Sequence, residues 1–177
     1  MLSGLEALSA LIVDDNRHAR EVAKQLCRGF GLRQIYEAAD AKTAWEIAEV
    51  RQPDLILLDF ALPDQNGAEF LRWLRASNDP FAQTSIILIT GYSDLTRVGL
   101  ARDAGESEIL VKPLTSASLL SRIIAVIDRP RPFVRCSAYA GPDRRRTRQS
   151  AYAGPLRRSS DPVFLDDSAT PNRTGTS

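Results

Sequence analysis

The sequence predicts a doubly wound α/β domain, a five-stranded parallel sheet with helices on both faces, followed by a disordered tail. Three observations predict it. Four aliphatic runs of three or four residues have the length of strands buried on both faces, and the segments between them have helical spacing. Beyond Asp128 the composition turns abruptly to Pro, Arg, Ser, Ala and Gly.

In chain order, the first run is Leu11-Ile12-Val13, and Asp15-Asn16 after it can start a helix whose apolar face holds Ala19, Val22, Ala23, Leu26 and Phe30. A weaker run, Gln34 to Ala38, suits an edge strand. Asp40 then starts a second helix, with Ala44, Trp45, Ile47, Ala48 and Val50 as its apolar positions before Pro53. Leu55 to Leu58 is the third strand, followed by a helix carrying Phe70, Leu71, Trp73 and Leu74. Ile86 to Ile89 is the fourth, with Ser93-Asp94 as the next helix start. Ile109-Leu110-Val111 is the fifth, and Thr115 starts a last helix carrying Leu119, Leu120, Ile123, Ile124 and Ile127. Trp45, Trp73 and Cys27 are read as packing residues, and His18 as a surface residue. Strand alternating with helix in this way, with right-handed crossovers, brings every strand's C-terminal end to one rim.

The 177 residues carry 23 Lys and Arg against 22 Asp and Glu. That balance hides an asymmetry: residues 1–128 hold 13 basic and 18 acidic side chains, residues 129–177 hold 10 and 4. The longest uncharged stretch, Pro80 to Ser93, is 14 residues, short of the roughly 20 a spanning helix needs, so no membrane insertion is expected. The N-terminus lacks the basic start of a secretory signal. Two distant cysteines and one histidine exclude a disulfide framework, a structural zinc site and polyhistidine metal catalysis. A reducing cytoplasm is the expected compartment.

The predicted rim is where the chemistry collects. Asp14 and Asp15 follow the first strand, Asp59 the third, Thr90 the fourth, and Lys112-Pro113 the fifth. Each alone has an ordinary reading, as a cap, a loop residue or a solvated lysine. Together they favour a metal and a phosphoryl group. Clustered carboxylates raise one another's pKa unless a cation offsets them, and a hard divalent cation with oxygen ligands would do so. Lys112 adds a point charge for a phosphoryl oxygen, Thr90 adds a donor, and a carboxylate such as Asp59 can attack phosphorus.

Leu-Ile-Val-Asp-Asp-Asn at 11–16, Asp59 within Leu-Ile-Leu-Leu-Asp-Phe-Ala-Leu-Pro-Asp-Gln-Asn-Gly at 55–67, Thr90-Gly91 and Lys112-Pro113 together resemble the receiver domain of bacterial two-component response regulators. The resemblance implies the sheet order 2-1-3-4-5 and a receiver domain over residues 1–128. It implies Asp59 as phosphoacceptor and Mg²⁺ (or Mn²⁺) held by Asp14, Asp15, Asp59 and the backbone carbonyl of Ala61. Thr90 and Lys112 would contact the phosphoryl group. Gly67 resembles the family glycine that turns the loop into the third helix. Two departures bear on regulation: Ile109 stands where the family commonly has Tyr or Phe, and Tyr92, two residues after Thr90, could overhang the site.

The tail, residues 129–177, is expected to be too short and too poor in apolar residues to form a helix-turn-helix output domain. It holds a duplication: Ser-Ala-Tyr-Ala-Gly-Pro-Asp-Arg-Arg at 137–145 recurs as Ser-Ala-Tyr-Ala-Gly-Pro-Leu-Arg-Arg at 150–158. Each copy offers a tyrosine and an arginine pair: Tyr139 with Arg144 and Arg145, then Tyr152 with Arg157 and Arg158. A solubilising extension and a docking peptide are the main readings, with nucleic-acid binding behind both. The charge asymmetry also makes the acidic rim a candidate landing place for the tail.

The expected function is a phosphorylation-dependent signalling switch, not an enzyme in the ordinary sense, although it self-phosphorylates and self-dephosphorylates with Mg²⁺. It would receive its phosphoryl group from a sensor histidine kinase or a histidine phosphotransfer protein and signal through protein contacts, as a monomer or a phosphorylation-dependent dimer. The alternatives are a phosphorylation-independent adaptor working through the tail and an Asp-nucleophile phosphatase. The second is disfavoured because the first strand ends in Asp14-Asp15, without the Asp-x-Asp spacing of that class.

Overall fold

The structure is a computed structural model that describes residues 4–63, 65–91, 105–136, 139–143 and 163–164. Five parallel strands form one sheet: β1 (Ser9–Val13), β2 (Gln34–Ala38), β3 (Leu55–Asp59), β4 (Ser85–Thr90) and β5 (Glu108–Val111), in the order β2-β1-β3-β4-β5. Four described helices flank it: α1 (Arg17–Gly29), α2 (Ala41–Arg51), α3 (Gly67–Ala76) and α4 (Ser116–Asp128). The Ser93-Asp94 helix start lies outside the described residues.

Side-chain alternation along the strands sorts the core into two layers. Leu11, Val13, Ile56, Leu58, Ile86 and Leu88 pack with α2 and α3 through Ala44, Ala48, Phe70, Leu71 and Leu74. Ala10, Ile12, Leu55, Leu57, Ile87 and Ile89 pack with α1 and α4 through Ala23, Cys27, Leu119 and Ile123. Every aliphatic residue of the central strands β1, β3 and β4 is thus buried on one side or the other, as the unbroken aliphatic runs require.

The caps follow the sequence closely. Asn16 accepts from the backbone of His18 and Ala19, Asp40 from Thr43, and Thr115 forms a reciprocal capping box with Ser118. Asn66 caps α3, accepting from Glu69 at 2.9 Å, although no start signal was read there.

Three packing assignments need correction, and the first is Val22 of α1, which is 36% exposed. Trp73 is 67% exposed and Val50 74% exposed. Ala41, Ala44 and Ala48 define the buried face of α2, and Val50 lies two residues, about 200°, beyond Ala48. On α3, Phe70, Leu71 and Leu74 face the sheet and Trp73 falls outside that arc. Trp45 does pack, edge-on against Phe81 with ring centroids 5.2 Å apart.

The disordered-tail expectation is corrected for its first segment. β6 (Phe133–Cys136) and β7 (Tyr139–Pro142) pair antiparallel, and β8 (Val163–Phe164) pairs with the other edge of β6. Phe133 and Val134 are buried. Arginines anchor this small sheet to backbone carbonyls of the body. Arg131 donates to Glu106 (3.1 Å) and Ser107, and Arg135 donates to Ser77 (2.8 Å) and to the Asn78 side chain (2.7 Å). A segment with few aliphatics therefore docks by borrowing the body's core and carbonyls instead of building a core of its own. Its platform is the C-terminal end of α3 and the N-terminal end of β5. That is the end of the domain away from the acidic rim, so these residues do not land where charge alone suggested.

Candidate functional site

Register assembles the site. Val13 pairs with Leu58, so Asp14 and Asp59 are neighbours just past that pair. Asp59 pairs with Ile89, and Thr90 with Val111, so Thr90 and Lys112 complete the same rim. Between β1 and β3 the chain's crossovers leave in opposite directions, to β2 on one side and to β4 and β5 on the other. Such a switch point opens a crevice at the strand ends.

Asp14 and Asp59 are 5% and 4% exposed, and Thr90 is 1% exposed, whereas Asp15 is open to solvent. Oxygens of Asp14, Asp15 and Asp59 lie within 4.8 Å of one another. Lys112 Nζ stands 2.8 Å from Asp59 Oδ1 and 3.1 Å from Asp14 Oδ2. Asp14 Oδ1 accepts from the Asn16 backbone at 2.9 Å, which fixes the carboxylate while Asn16 caps α1. Arg20, one turn into α1, donates to the backbone carbonyls of Asp14 (2.7 Å) and Asp15 (3.2 Å). It was missed in the sequence, where only its place six residues beyond Asp14 could have drawn attention.

Burial pushes the Asp59 carboxyl above the ordinary aspartate range. The charge of Asp14 adds to this, while Lys112 and a backbone hydrogen bond from Ala61 pull the other way. Burial also opposes charge on Lys112, but the hydrogen bond and charge of Asp59, reinforced by Asp14, outweigh it and hold the ammonium above the ordinary lysine range. Protein groups alone leave the carboxylate cluster under-compensated. Its all-oxygen donor set and one open edge at Asp15 fit a hard divalent cation.

The loop after β3 is shaped by Gly67. A Cβ there would stand 2.3 Å from the Asp59 carbonyl oxygen, and the Gly67 N–H donates to Phe60 at 2.7 Å. Only glycine lets the start of α3 lie this close to the Asp59 backbone. Ala61 pairs with Asn66 in a one-residue bridge that closes the same loop. The Thr90 hydroxyl has a local contact, 3.3 Å to the Gly91 carbonyl, and the Thr90 carbonyl accepts from the Lys112 backbone at 2.8 Å. The Lys112–Pro113 peptide is cis. Ile109 is half-buried against the α2–α3 layer.

Asp14, Asp15, Asp59 and Lys112 are therefore brought together, with Thr90 and Ala61 on the same rim. Tyr139 is not part of the site; it lies in β7 at the far end. Tyr92, Arg144, Arg145, Tyr152, Arg157 and Arg158 lie outside the described residues.

Residues 10–124 match the family described as the response regulator receiver domain. Among curated relatives, the KDP operon transcriptional regulatory protein KdpE of Escherichia coli is 32% identical over 73% of this chain and 58% of its own length. The chemotaxis protein CheY-3 of Vibrio cholerae is 28% identical over 69% of this chain and 93% of its own. The chain spans only about half the length of the transcriptional regulators it matches, 58% of KdpE and 49% of GltR from Pseudomonas aeruginosa. A CheY-like receiver domain protein from Methanospirillum hungatei superposes with a TM-score of 0.62 at 28% identity, covering 68% of this chain and 94% of that one.

Proposed function

Since the chain belongs to the response regulator receiver family, a family of phosphoacceptor signalling domains, we propose that it is a phosphorylation switch whose acceptor is Asp59. The single observation that carries this reading is the buried carboxylate of Asp59, with Lys112 at 2.8 Å and two further aspartates beside it. The donor is a phosphohistidine on a sensor kinase or phosphotransfer protein. An Asp59 oxygen attacks phosphorus, the O–P bond forms, and the P–N bond breaks. Its electron pair stays on the imidazole nitrogen, which then takes up a proton.

Asp14, Asp15 and Asp59, with the Ala61 carbonyl, would hold Mg²⁺ or Mn²⁺. The ion supplies charge neutralisation for the phosphoryl oxygens. Lys112 gives up one carboxylate contact and pairs with a phosphoryl oxygen, while Thr90 turns its hydroxyl towards another. Ile109, three residues before Lys112 on β5, relays the change by repacking against the α2–α3 layer. The reading places the exchange in the cytoplasm, where the free thiols Cys27 and Cys136 stay reduced. Among the described residues no helix is long and apolar enough to cross a membrane.

The test is labelling with a small-molecule phosphodonor. Wild-type protein gains one phosphoryl group in the presence of Mg²⁺ and none after chelation, and Asp59→Asn gains none. A fully labelled Asp59→Asn protein would sink the assignment.

A further inference from the structure

The docked hairpin gives each residue of Tyr139-Ala140-Gly141-Pro142 a reason. Tyr139 donates its hydroxyl to the Pro142 carbonyl at 2.7 Å, folding the ring back along its own strand. Gly141 lies between that ring and the body. A Cβ on it would stand 2.6 Å from Tyr139 Oη and 2.7 Å from the Cα of Gly105. From the other side, Gly105 has φ +92°, and a Cβ there would stand 2.7 Å from the Ala140 carbonyl oxygen and 3.1 Å from Arg75 Cγ. Two glycines thus meet backbone to backbone, and neither can take a side chain without parting the hairpin from the body. Pro142 is buried and pairs with Phe133.

The chain carries this sequence twice, and its seat occurs once among the described residues. Residues 150–155 repeat residues 137–142 without a change. Position 143 differs, Asp143 against Leu156, but two hydrogen bonds there take only backbone atoms from residue 143: its N–H donates to the Pro132 carbonyl (2.8 Å), and its carbonyl accepts from the Arg131 guanidinium (3.3 Å). Leucine supplies both. We propose that the seat formed by Gly105, Arg75 and the β6 edge is a binding site for the Tyr-Ala-Gly-Pro strand. Its second ligand is residues 152–155 of the same chain, in exchange with residues 139–142.

Tethering favours the same chain as the source. The copies are offset by 13 residues, so a flexible link reaches roughly 20 Å and holds the second copy at an effective concentration of order millimolar. Seven residues separate Pro155 from Val163, enough to cross from the β7 position to β8, about 10 Å away across β6. Exchange changes what adjoins the seat: Arg144, Arg145 and Arg146 with the first copy, Arg157 and Arg158 with the second. One body can therefore present two different basic surfaces.

The test uses the full chain with Gly141→Val, Gly154→Val and the double variant, reading amide hydrogen exchange at Phe133–Cys136. Either single variant keeps most of the protection, because the other copy fills the seat, and the double variant loses at least about tenfold. The milder Tyr139→Ala, alone and with Tyr152→Ala, gives the same pattern if valine perturbs folding. Adding a synthetic 150–158 peptide at millimolar concentration to the double variant restores protection. Gly141→Val exchanging as fast as the double variant overturns the proposal, as does a peptide that protects nothing. Protection in Gly141→Val that depends on protein concentration overturns the same-chain assignment and makes the occupant a second molecule.

Discussion

Lys112 touches two carboxylates at once, Asp59 and Asp14, and so acts as the cation of the site when no divalent ion is bound. Removing it leaves two largely buried like charges together. Loss of a fully buried partner costs about 3–5 kcal/mol, and because a third of the Lys112 side chain is exposed, about 1–2 kcal/mol is expected for Lys112→Ala. Thermal unfolding in chelator should show that loss, and saturating Mg²⁺ should recover much of it. A midpoint that ignores Mg²⁺ in both proteins would argue against cation binding at this rim. The two thiols give a second contrast. Burial pushes the Cys27 thiol up to about 12, so at pH 8 it carries almost no thiolate. Cys136 is half-buried, and iodoacetamide on native protein should modify it well before Cys27, as peptide mapping would show.

Among the elements, the strands and caps were the most legible. Aliphatic runs and Asn, Asp or Thr at helix starts carry local physics that the fold leaves intact. Trp73 and Val50 misled because apolar identity was read without the angle: a helix turns 100° per residue, and both stand outside the arc set by their alanine, leucine and phenylalanine neighbours. β6 and β7 were illegible for a different reason. They dock through Arg131 and Arg135, which meet carbonyls 24 and 58 residues away in sequence, pairings no local pattern encodes. Phe133, whose ring lies 5.7 Å from the Arg75 guanidinium, is the apolar centre of that contact. Phe133→Ala should release the hairpin, exposing its amides to exchange, while the exchange of β1 and β3 amides stays as in wild type.

For the whole molecule, the site was legible because its residues sit at strand ends, where topology alone brings Asp14, Asp15, Asp59, Thr90 and Lys112 to one rim. What the sequence could not supply was which carboxylate is buried, how Lys112 divides itself, or that Arg20 braces the first turn. The placement of the hairpin carries a consequence for the order of assembly. It rests on the end of α3 and the start of β5, and Arg75 ties that region to the carbonyls of Ala82 and Thr84 ahead of β4. None of this platform exists until β3, β4 and β5 have come together. The hairpin is therefore expected to form after the five-stranded sheet during refolding. In a pulse-labelling experiment its amides should gain protection in a later phase than those of β1 and β3. A chain cut after residue 130 should already bring Asp14, Asp59 and Lys112 together at the rim.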